Sequence, residues 1–312
     1  MTTRILSSQD GTKTTVRDLI ANPLVVPARI LSLLNLAFLS AALLRNEGPN
    51  ASSLVKYEES TPLFLDTDPE IVGEFAEIPV GAGQMGLPRI AQGTPEGLGV
   101  RISRRMRDMN QIGQINRQIT QLTNTMVRAD ERALRLLFDN PAIPSIAAGA
   151  AWDTSSGRPQ KDIARAQEVI ASAKPSGVTD EDANFGFDAD TIVLPSSITP
   201  VLVGNDNFAA VYNRDSLTSE DIRYTGKLPN KIMDLDPLKS RTFANDKVLV
   251  LERSTVGFYS DFQALEVTEL YPEGNGPNGG ATQSWRSDAT RERVTGVDQP
   301  LAACWITGVK TP

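Results

Sequence analysis

The stretch from Arg101 to Phe138 constrains the fold more than any other part of the chain. It contains one glycine, Gly113, and no proline, and its apolar residues recur every three or four positions. That spacing is the period of one face of an α-helix. A helix of this length would extend for about 55 Å. It would end before Pro141, because the residue before a proline is disfavoured in the helical region. The apolar stripe consists of Ile102, Met106, Met109, Ile112, Ile115, Ile119, Leu122, Met126, Ala129, Ala133 and Leu137.

Three architectures can use such a helix. It could be half of a coiled coil, one arm of a helical bundle, or a spine that runs along a flat domain and packs on its strands. The rest of the chain contains few other long helical patterns. We therefore favour the spine, because a single long helix with one apolar face needs a sheet to cover that face.

The composition narrows the possible functions. The 312 residues can bury a sizeable core in one or two domains, and they carry a net charge of -7. An acidic chain is poorly suited to a function that depends mainly on nucleic-acid binding. The absence of histidine excludes Ser-His and Cys-His nucleophile pairs and histidine metal sites. The one cysteine, Cys304, lies in an apolar run, so we expect a buried, unreactive thiol.

The N-terminal region combines a polar segment and an apolar one. Residues 1–23 have no signal-peptide pattern and are expected to form a loosely held arm. Residues 24–44 are apolar enough to be considered as a membrane span, but Pro27, Arg29 and Asn35 interrupt them. We therefore predict a helix over about 27–46 that packs on other parts of the protein. A membrane-anchored binding protein is the alternative that this segment leaves open.

Residues 50–100 have the character of a long β-hairpin or an extended loop. Strand-like patterns cover 53–58 and 71–80, and a run rich in glycine and proline follows. Within that run, residues 81–86 match the G-x-G-x-x-G fingerprint of dinucleotide sites. Prolines follow where such a site needs a helix. We therefore predict a glycine-rich hairpin and no cofactor site.

The hairpin is acidic, whereas the predicted long helix begins with a cluster of arginines. Cations at a helix N-terminus oppose the helix macrodipole, so the cluster is locally unfavourable. It is either a solvated helix end or a set of groups that contact acidic residues, such as those on the hairpin of another subunit. The candidate contact residues are Lys56, Glu58, Glu59, Glu74, Glu77, Arg101, Arg104, Arg105 and Arg107.

The remaining chain alternates short helices and strands, apart from a polar, irregular region at 213–246. Asp180, Asp182, Asn184 and Gly186 resemble a calcium loop, but the glycine is one position late, so we expect a solvated turn. No constellation of nucleophile, base or metal ligands appears, so no enzyme activity, cofactor or metal is predicted. The predicted elements are a helix from Pro159 to about 173, a short helix or turn at 197–203, and strands at 190–194, 248–251, 258–271, 284–297 and 301–309.

This order of parts resembles that of the major capsid proteins of tailed bacteriophages, which have the Hong Kong 97-type fold. The local resemblance is carried by residues 190–195 and by Arg293, Val294, Val297, Asp298, Pro300, Ala303, Ile306, Thr307 and Gly308. It implies an α+β fold whose parts carry the names used for that family. They are an N-terminal arm with a helix (1–49), an E-loop hairpin (50–100), a P-domain with the spine helix (101–184), an A-domain (185–260), return strands of the P-domain (261–299) and a C-terminal strand that closes the A-domain (300–312).

The resemblance also implies a function. Copies of the chain would assemble as pentamers and hexamers into an icosahedral shell, in the host cytoplasm, and would become part of the virion. The shell would hold double-stranded DNA non-specifically. The implied partners are a separate scaffolding protein, because few residues precede the first helix, a portal and, in some members, a decoration protein. An encapsulin-like bacterial compartment shell shares the fold and is the alternative.

Some members of this family cross-link a hairpin lysine to an asparagine of a neighbouring subunit. Lys56 is the only lysine between residues 14 and 160, so it is the one candidate for that role. No asparagine and no catalytic glutamate of this sequence can be matched to it. We therefore expect an ordinary solvated or salt-bridged lysine and no cross-link.

Overall fold

The computed structural model describes residues 15–311 except 35–36, 63, 66, 68, 176–182, 213–227 and 277–278. Most of the predicted arm and part of the calcium-like loop, including Asp180 and Asp182, lie outside the described residues. The helices are α1 (Val16–Ala21), α2 (Val25–Leu34), α3 (Leu39–Leu43), α4 (Arg104–Asp108), α5 (Ile112–Phe138), α6 (Pro159–Ala171), α7 (Ile198–Gly204) and α8 (Asp206–Tyr212). The strands are β1 (Arg45–Pro49), β2 (Leu54–Glu59), β3 (Leu87–Gln92), β4 (Thr94–Ser103), β5 (Ser145–Ala147), β6 (Thr191–Pro195), β7 (Asp236–Ser240), β8 (Lys247–Leu251), β9 (Phe258–Val267), β10 (Tyr271–Pro272), β11 (Ser284–Gly296) and β12 (Ala303–Thr307).

The first sheet is organised around β11. One edge of β11 pairs with β4, and its other edge pairs with β9 and then β10, all antiparallel. β1 extends the sheet by pairing in parallel with β9. Helix α5 packs its buried face, which includes Ile115, Ile119 and Met126, in one core with Ile102 and Trp285 of this sheet. The long helix is therefore a spine on a sheet, as the sequence predicts.

The predicted helix over Arg101–Phe138 is wrong at its start. Arg101 and Ile102 belong to β4, and only from Ile112 onward is the helix continuous. Ser103 caps the short helix α4, because its Oγ accepts a hydrogen bond from the backbone N–H of Met106 at 3.2 Å. Asn110, with a φ of 50°, then breaks the chain before α5. The 27-residue helix is therefore about 40 Å long.

The predicted single helix over about 27–46 is also wrong. Helix α2 ends at Leu34, α3 is a separate short helix, and β1 begins at Arg45. The backbone N–H of Arg45 donates to the carbonyl of Gly257 at 2.9 Å, so pairing with a distant strand replaces the helix there. None of the described helices is both long enough and apolar enough to cross a membrane.

The hairpin is present, but its second strand is not where the pattern places it. β2 and β3 pair antiparallel, from Leu54 opposite Gln92 to Glu59 opposite Leu87. Residues 71–80, predicted as a strand, are part of the loop that joins β2 to β3. A strand, β3, also follows the G-x-G-x-x-G run directly, where a dinucleotide site would need a helix.

The second sheet has the order β5-β12-β8-β6-β7, with α6 packed on β12 and β8. Its core includes Trp152, Ile163, Leu249 and Ile306, all of them buried. Strands β6, β8 and β12 match the predicted strands closely, and α6 matches the predicted helix. β7 lies in the region predicted to be irregular, and it pairs in parallel with β6.

Cys304 lies on β12, fully buried in this core. Burial raises the pKa of its thiol from 9.0 to about 11, because the charged thiolate is poorly solvated there. At pH 8 the thiolate fraction is therefore lower by about a hundredfold than for an ordinary thiol. We expect a thiol reagent such as Ellman's reagent to label less than one tenth of native chains in an hour, and all chains at once in strong denaturant. Rapid labelling of the native protein would contradict the buried position.

Candidate assembly surface

The loop that joins β2 to β3, residues 60–86 (the tip loop), exposes an unusual amount of apolar surface. The side chains of Ile71, Phe75 and Val80 are 103%, 100% and 93% exposed. Isolated exposed apolar residues are normal, but a contiguous set indicates a contact surface. The exposed apolar residues of this loop are Phe64, Leu65, Ile71, Val72, Phe75, Ile78, Val80 and Met85.

The base of the hairpin is held firmly, in contrast to the tip loop. Glu59 is buried and forms an ion pair with Arg89 at 2.5 Å. Tyr57 packs edge-to-face on Phe258 of the first sheet, with ring centroids 5.2 Å apart. The backbone N–H of Ser60 donates to the carbonyl of Asp298 at 2.8 Å. These contacts fix the direction in which the hairpin leaves the sheet, so the apolar loop is presented on a defined support.

Gly86 shows why a glycine stands at the end of the G-x-G-x-x-G run. A Cβ atom at this position would lie 2.5 Å from the carbonyl oxygen of Glu59, closer than van der Waals contact allows. Its backbone N–H points to the carboxylate of Glu58 at 3.3 Å. The glycine therefore lets the returning chain pass close to β2, which is a structural role in the hairpin.

The structure brings the predicted contact residues to two separate places. Lys56, Glu58, Glu74 and Glu77 are exposed on the hairpin, and only Glu59 is buried. The arginines lie at the end of β4 and on α4, where Arg101, Arg104 and Arg105 are exposed and Arg107 is half-buried.

Within one chain, these arginines pair with carboxylates that the sequence did not indicate. Arg101 contacts Glu273 at 2.6 Å. Arg104 and Arg107 both contact Asp108, at 3.4 and 3.0 Å. The Ser284 hydroxyl and Arg101 lower the pKa of the Glu273 carboxyl, and Arg107, with Arg104, lowers that of Asp108. Among the described residues, Arg101, Arg104 and Arg105 form no ion pair with the hairpin of the same chain.

A buried network of ion pairs behind the hairpin was missed by the sequence reasoning. Asp130 of α5 and Arg291 of β11 are 2% and 3% exposed, and their side chains are 3.1 Å apart. Asp130 also accepts hydrogen bonds from the Ser40 hydroxyl at 2.5 Å and the Ser40 amide at 3.0 Å. Arg293 binds Asp261 through two nitrogens, at 2.6 and 2.9 Å. The network joins α3, α5, β4, β9 and β11 and consists of Ser40, Glu96, Asp130, Asp261, Arg291 and Arg293.

Neither the tip loop nor the buried network has the geometry of a reaction centre. Among the described residues, no group of three or more His, Cys, Asp or Glu side chains is positioned to hold a metal ion. The charged groups of the network pair with one another, and the tip loop offers apolar surface. The geometry favours a protein contact.

Comparison with known proteins shows the family to which the chain belongs. A family model described as phage capsid protein matches residues 89–306, more than two thirds of the chain. The chain belongs to the phage capsid protein family. This membership confirms the resemblance seen in the sequence, and the matched range of this capsid protein includes most of β3, the spine helix, the first sheet except β1 and nearly all of the second sheet. No curated protein matches the chain.

Solved structures share the fold of this capsid protein along almost its whole length. A structure from Microbacterium phage Oxtober96 is 15% identical, with a TM-score of 0.57 over 86% of this chain and 90% of that chain. The capsid of Myoviridae phage XM1 is 10% identical, with a TM-score of 0.51 over 87% and 91%. A virus-like particle from Pyrococcus furiosus is 10% identical, with a TM-score of 0.55 over 90% and 97%. At these identities the likenesses show the α+β fold itself.

Proposed function

We propose that this protein is the major capsid protein of a tailed bacteriophage. Its copies assemble as pentamers and hexamers into an icosahedral shell that encloses the double-stranded DNA genome, and the shell becomes part of the virion. The observation that carries this proposal is the apolar tip loop on a firmly held hairpin, in a chain of the phage capsid family. Such a loop buries little surface within its own chain, so it is stable only against another subunit.

The parts of the fold take the roles that the family names give them. The hairpin is the E-loop, and the P-domain (101–184 and 261–299) holds α5 and most of the first sheet. The A-domain (185–260) contributes β6, β7 and β8 to the second sheet, and β12 closes it, while β5 and α6 come from the range assigned to the P-domain. Residues 1–49 are the arm. A subunit of this kind acts by binding copies of itself, so its role is structural, with no catalytic residues.

An encapsulin-like compartment shell is the second candidate. The likeness to the Pyrococcus furiosus virus-like particle supports it, because that particle has the same fold. The match to the phage capsid family model favours the phage shell over it. A phage shell further needs a separate scaffolding protein, a portal and, in some phages, a decoration protein, whereas a compartment needs a cargo enzyme.

Electron microscopy of the protein, expressed alone and with its genomic neighbours, tests the proposal. We expect closed icosahedral particles, tubes or ring-shaped capsomers. The particle diameter and contents then separate the two candidates, because a genome container is large and takes up DNA. A monomer under every condition would overturn both.

The arginine cluster is proposed to contact acidic residues of a neighbouring hairpin, among them Glu74 and Glu77. Changing Arg104 and Arg105 to glutamate is expected to leave the subunit folded, because exposed ion pairs such as Arg104–Asp108 contribute only about 0–1 kcal/mol. Assembly is expected to weaken at low salt and to recover in part as the salt concentration rises, since the attraction becomes a repulsion that salt screens. Light scattering at several salt concentrations measures this. The matched control changes Lys161 and Arg165, exposed cations of α6, in the same way. Unchanged assembly in the Arg104/Arg105 variant would show that the cluster is a solvated helix end and not a subunit contact.

A further inference from the structure

Helix α5 carries a one-sided line of arginines that the contacts above do not use. Arg117, Arg128, Arg132 and Arg135 are all exposed. With about 100° of rotation per residue, the four lie within about 60° of one another around the helix axis. They extend over about 27 Å along it. These four residues form a cationic line on one side of the helix, with a gap of about 16 Å between Arg117 and Arg128; it is called here the arginine stripe.

The acids of the same helix are buried, and Glu131 lies beside the stripe, three residues from Arg128 and four from Arg135. Asp130 and Glu131 are the only acidic residues of α5, and both are buried. Asp130 belongs to the buried network, and Glu131 accepts hydrogen bonds from the Ser240 hydroxyl at 3.1 Å and the Arg241 amide at 2.8 Å. No carboxylate among the described residues forms an ion pair with a stripe arginine. The exposed charges of α5 are therefore all positive.

Polar side chains without charge lie beside and between the arginines. Gln114, Gln121 and Asn124 are exposed on this side of the helix. Beside them, a cleft of about 350 Å³ is lined by Arg128 of the stripe, by Arg241, an exposed cation on the turn after β7, and by the buried Glu131, whose carboxylate is held by the Ser240 hydroxyl and the Arg241 amide. Arginine, glutamine and asparagine are side chains that bind phosphate oxygens.

We propose that the arginine stripe is the surface through which the subunit contacts the phosphate backbone of duplex DNA inside the shell. The proposal rests on the function proposed above, and it assigns α5 to the inner face. Four arginines per subunit give weak binding that depends on salt and not on sequence. Repetition over many subunits makes that weak contact effective without holding the DNA tightly at any point.

The acidic tip loop of another subunit fits the stripe less well than DNA does. That loop carries Ile71 and Phe75 beside its acids, and burying them needs an apolar counterpart. The exposed residues beside the stripe arginines are mostly polar, with Leu136 as the large apolar exception, so the apolar side chains would gain only a small counterpart. The phosphates of duplex DNA are charged, so binding them needs no apolar counterpart.

The test compares the full-length wild type with a variant in which Arg117, Arg128 and Arg132 are changed to glutamine. Arg135 is kept, because it also donates to the carbonyl of Thr242. Unassembled subunits and capsomers are titrated into a fluorescent duplex of about 30 base pairs, at several salt concentrations. We expect the slope of log affinity against log salt to become shallower by about 3, since each phosphate contact contributes about 0.9. Particle formation and the melting curve should stay as in the wild type.

A matched control removes three other exposed cations, Lys161, Arg165 and Lys231, and so makes the same change in net charge. It is expected to keep most of the salt slope. An unchanged slope in the stripe variant, or no duplex binding by the wild type, overturns the proposal while particles still support the capsid function. Loss of particles with unchanged duplex binding assigns the stripe to a subunit contact and also overturns it. If the wild type forms no particles, the proposed capsid function is itself wrong.

Discussion

Replacing Asp130 by alanine is expected to lower the free energy of unfolding of the subunit by about 3–5 kcal/mol, because it leaves a buried charge without its main partner. Arg291 would keep only Glu96, at 3.0 Å, and its Nε already has no hydrogen-bond partner. The Ser40 amide and hydroxyl would lose their acceptor at the same time. The change therefore removes the hydrogen bonds between α3 and the spine helix as well as the ion pair of Arg291.

Urea denaturation of unassembled subunits measures this loss. The control is Asp139→Ala, which removes an exposed acid just beyond the same helix and should change stability by no more than about 0.5 kcal/mol. Asp130→Asn keeps an acceptor for Ser40 and loses the charge, so it should fall between the two. Equal stability of the Asp130→Ala and Asp139→Ala proteins would show that the network does not stabilise the subunit.

Changing Ile71 and Phe75 together to serine is expected to abolish assembly at concentrations where the wild type assembles. Both side chains are fully exposed in the single chain, so subunit stability should stay the same. Burying one such side chain in a contact contributes about 1.5–3 kcal/mol. Two of them change the concentration needed for assembly by at least about a hundredfold, since 1.4 kcal/mol is a factor of ten.

Light scattering and electron microscopy over a concentration series follow this effect. The matched variant, Ile71→Val with Phe75→Leu, keeps the loop apolar and should assemble at close to the wild-type concentration. Assembly of the serine variant at that same concentration would show that the tip loop is not part of the subunit contact.

The spine helix could be predicted because its signal is local. Ile115, Ile119 and Met126 recur on one face, and that face packs on the sheet. Its start could not be predicted, because Ile102 fits the helical period and also alternates with Val100 as a strand requires. Pairing with the distant strand β11 decides in favour of the strand.

Two strands carry almost no local signal. β1 has the sequence Arg-Asn-Glu-Gly-Pro, and β7 has Asp-Pro-Leu-Lys-Ser. Both contain proline and few residues that favour strands. Each forms because a buried strand, β9 or β6, offers it a parallel partner, and only the tertiary structure contains that information.

The candidate surfaces also differ in how far the sequence alone predicts them. The acidic and apolar character of the tip loop is visible in the sequence, and the arginine stripe could have been found from its spacing of eleven, four and three residues. The buried network could not, since Asp130 and Arg291 are 161 positions apart and each is surrounded by other charged residues. Only the fold selects this pair from the many that the charges allow.

Because β11 lies at the centre of the first sheet, that sheet can be completed only late in the synthesis of the chain on the ribosome. β4 is complete at Ser103, but its partner begins only at Ser284. At about 5–20 residues per second, the unpaired edge of β4 waits roughly 10–40 seconds for the strand that completes its sheet. During that time the hairpin has no sheet to support it. A nascent chain therefore cannot present its tip loop in the native direction, and only finished chains become competent to join a growing shell.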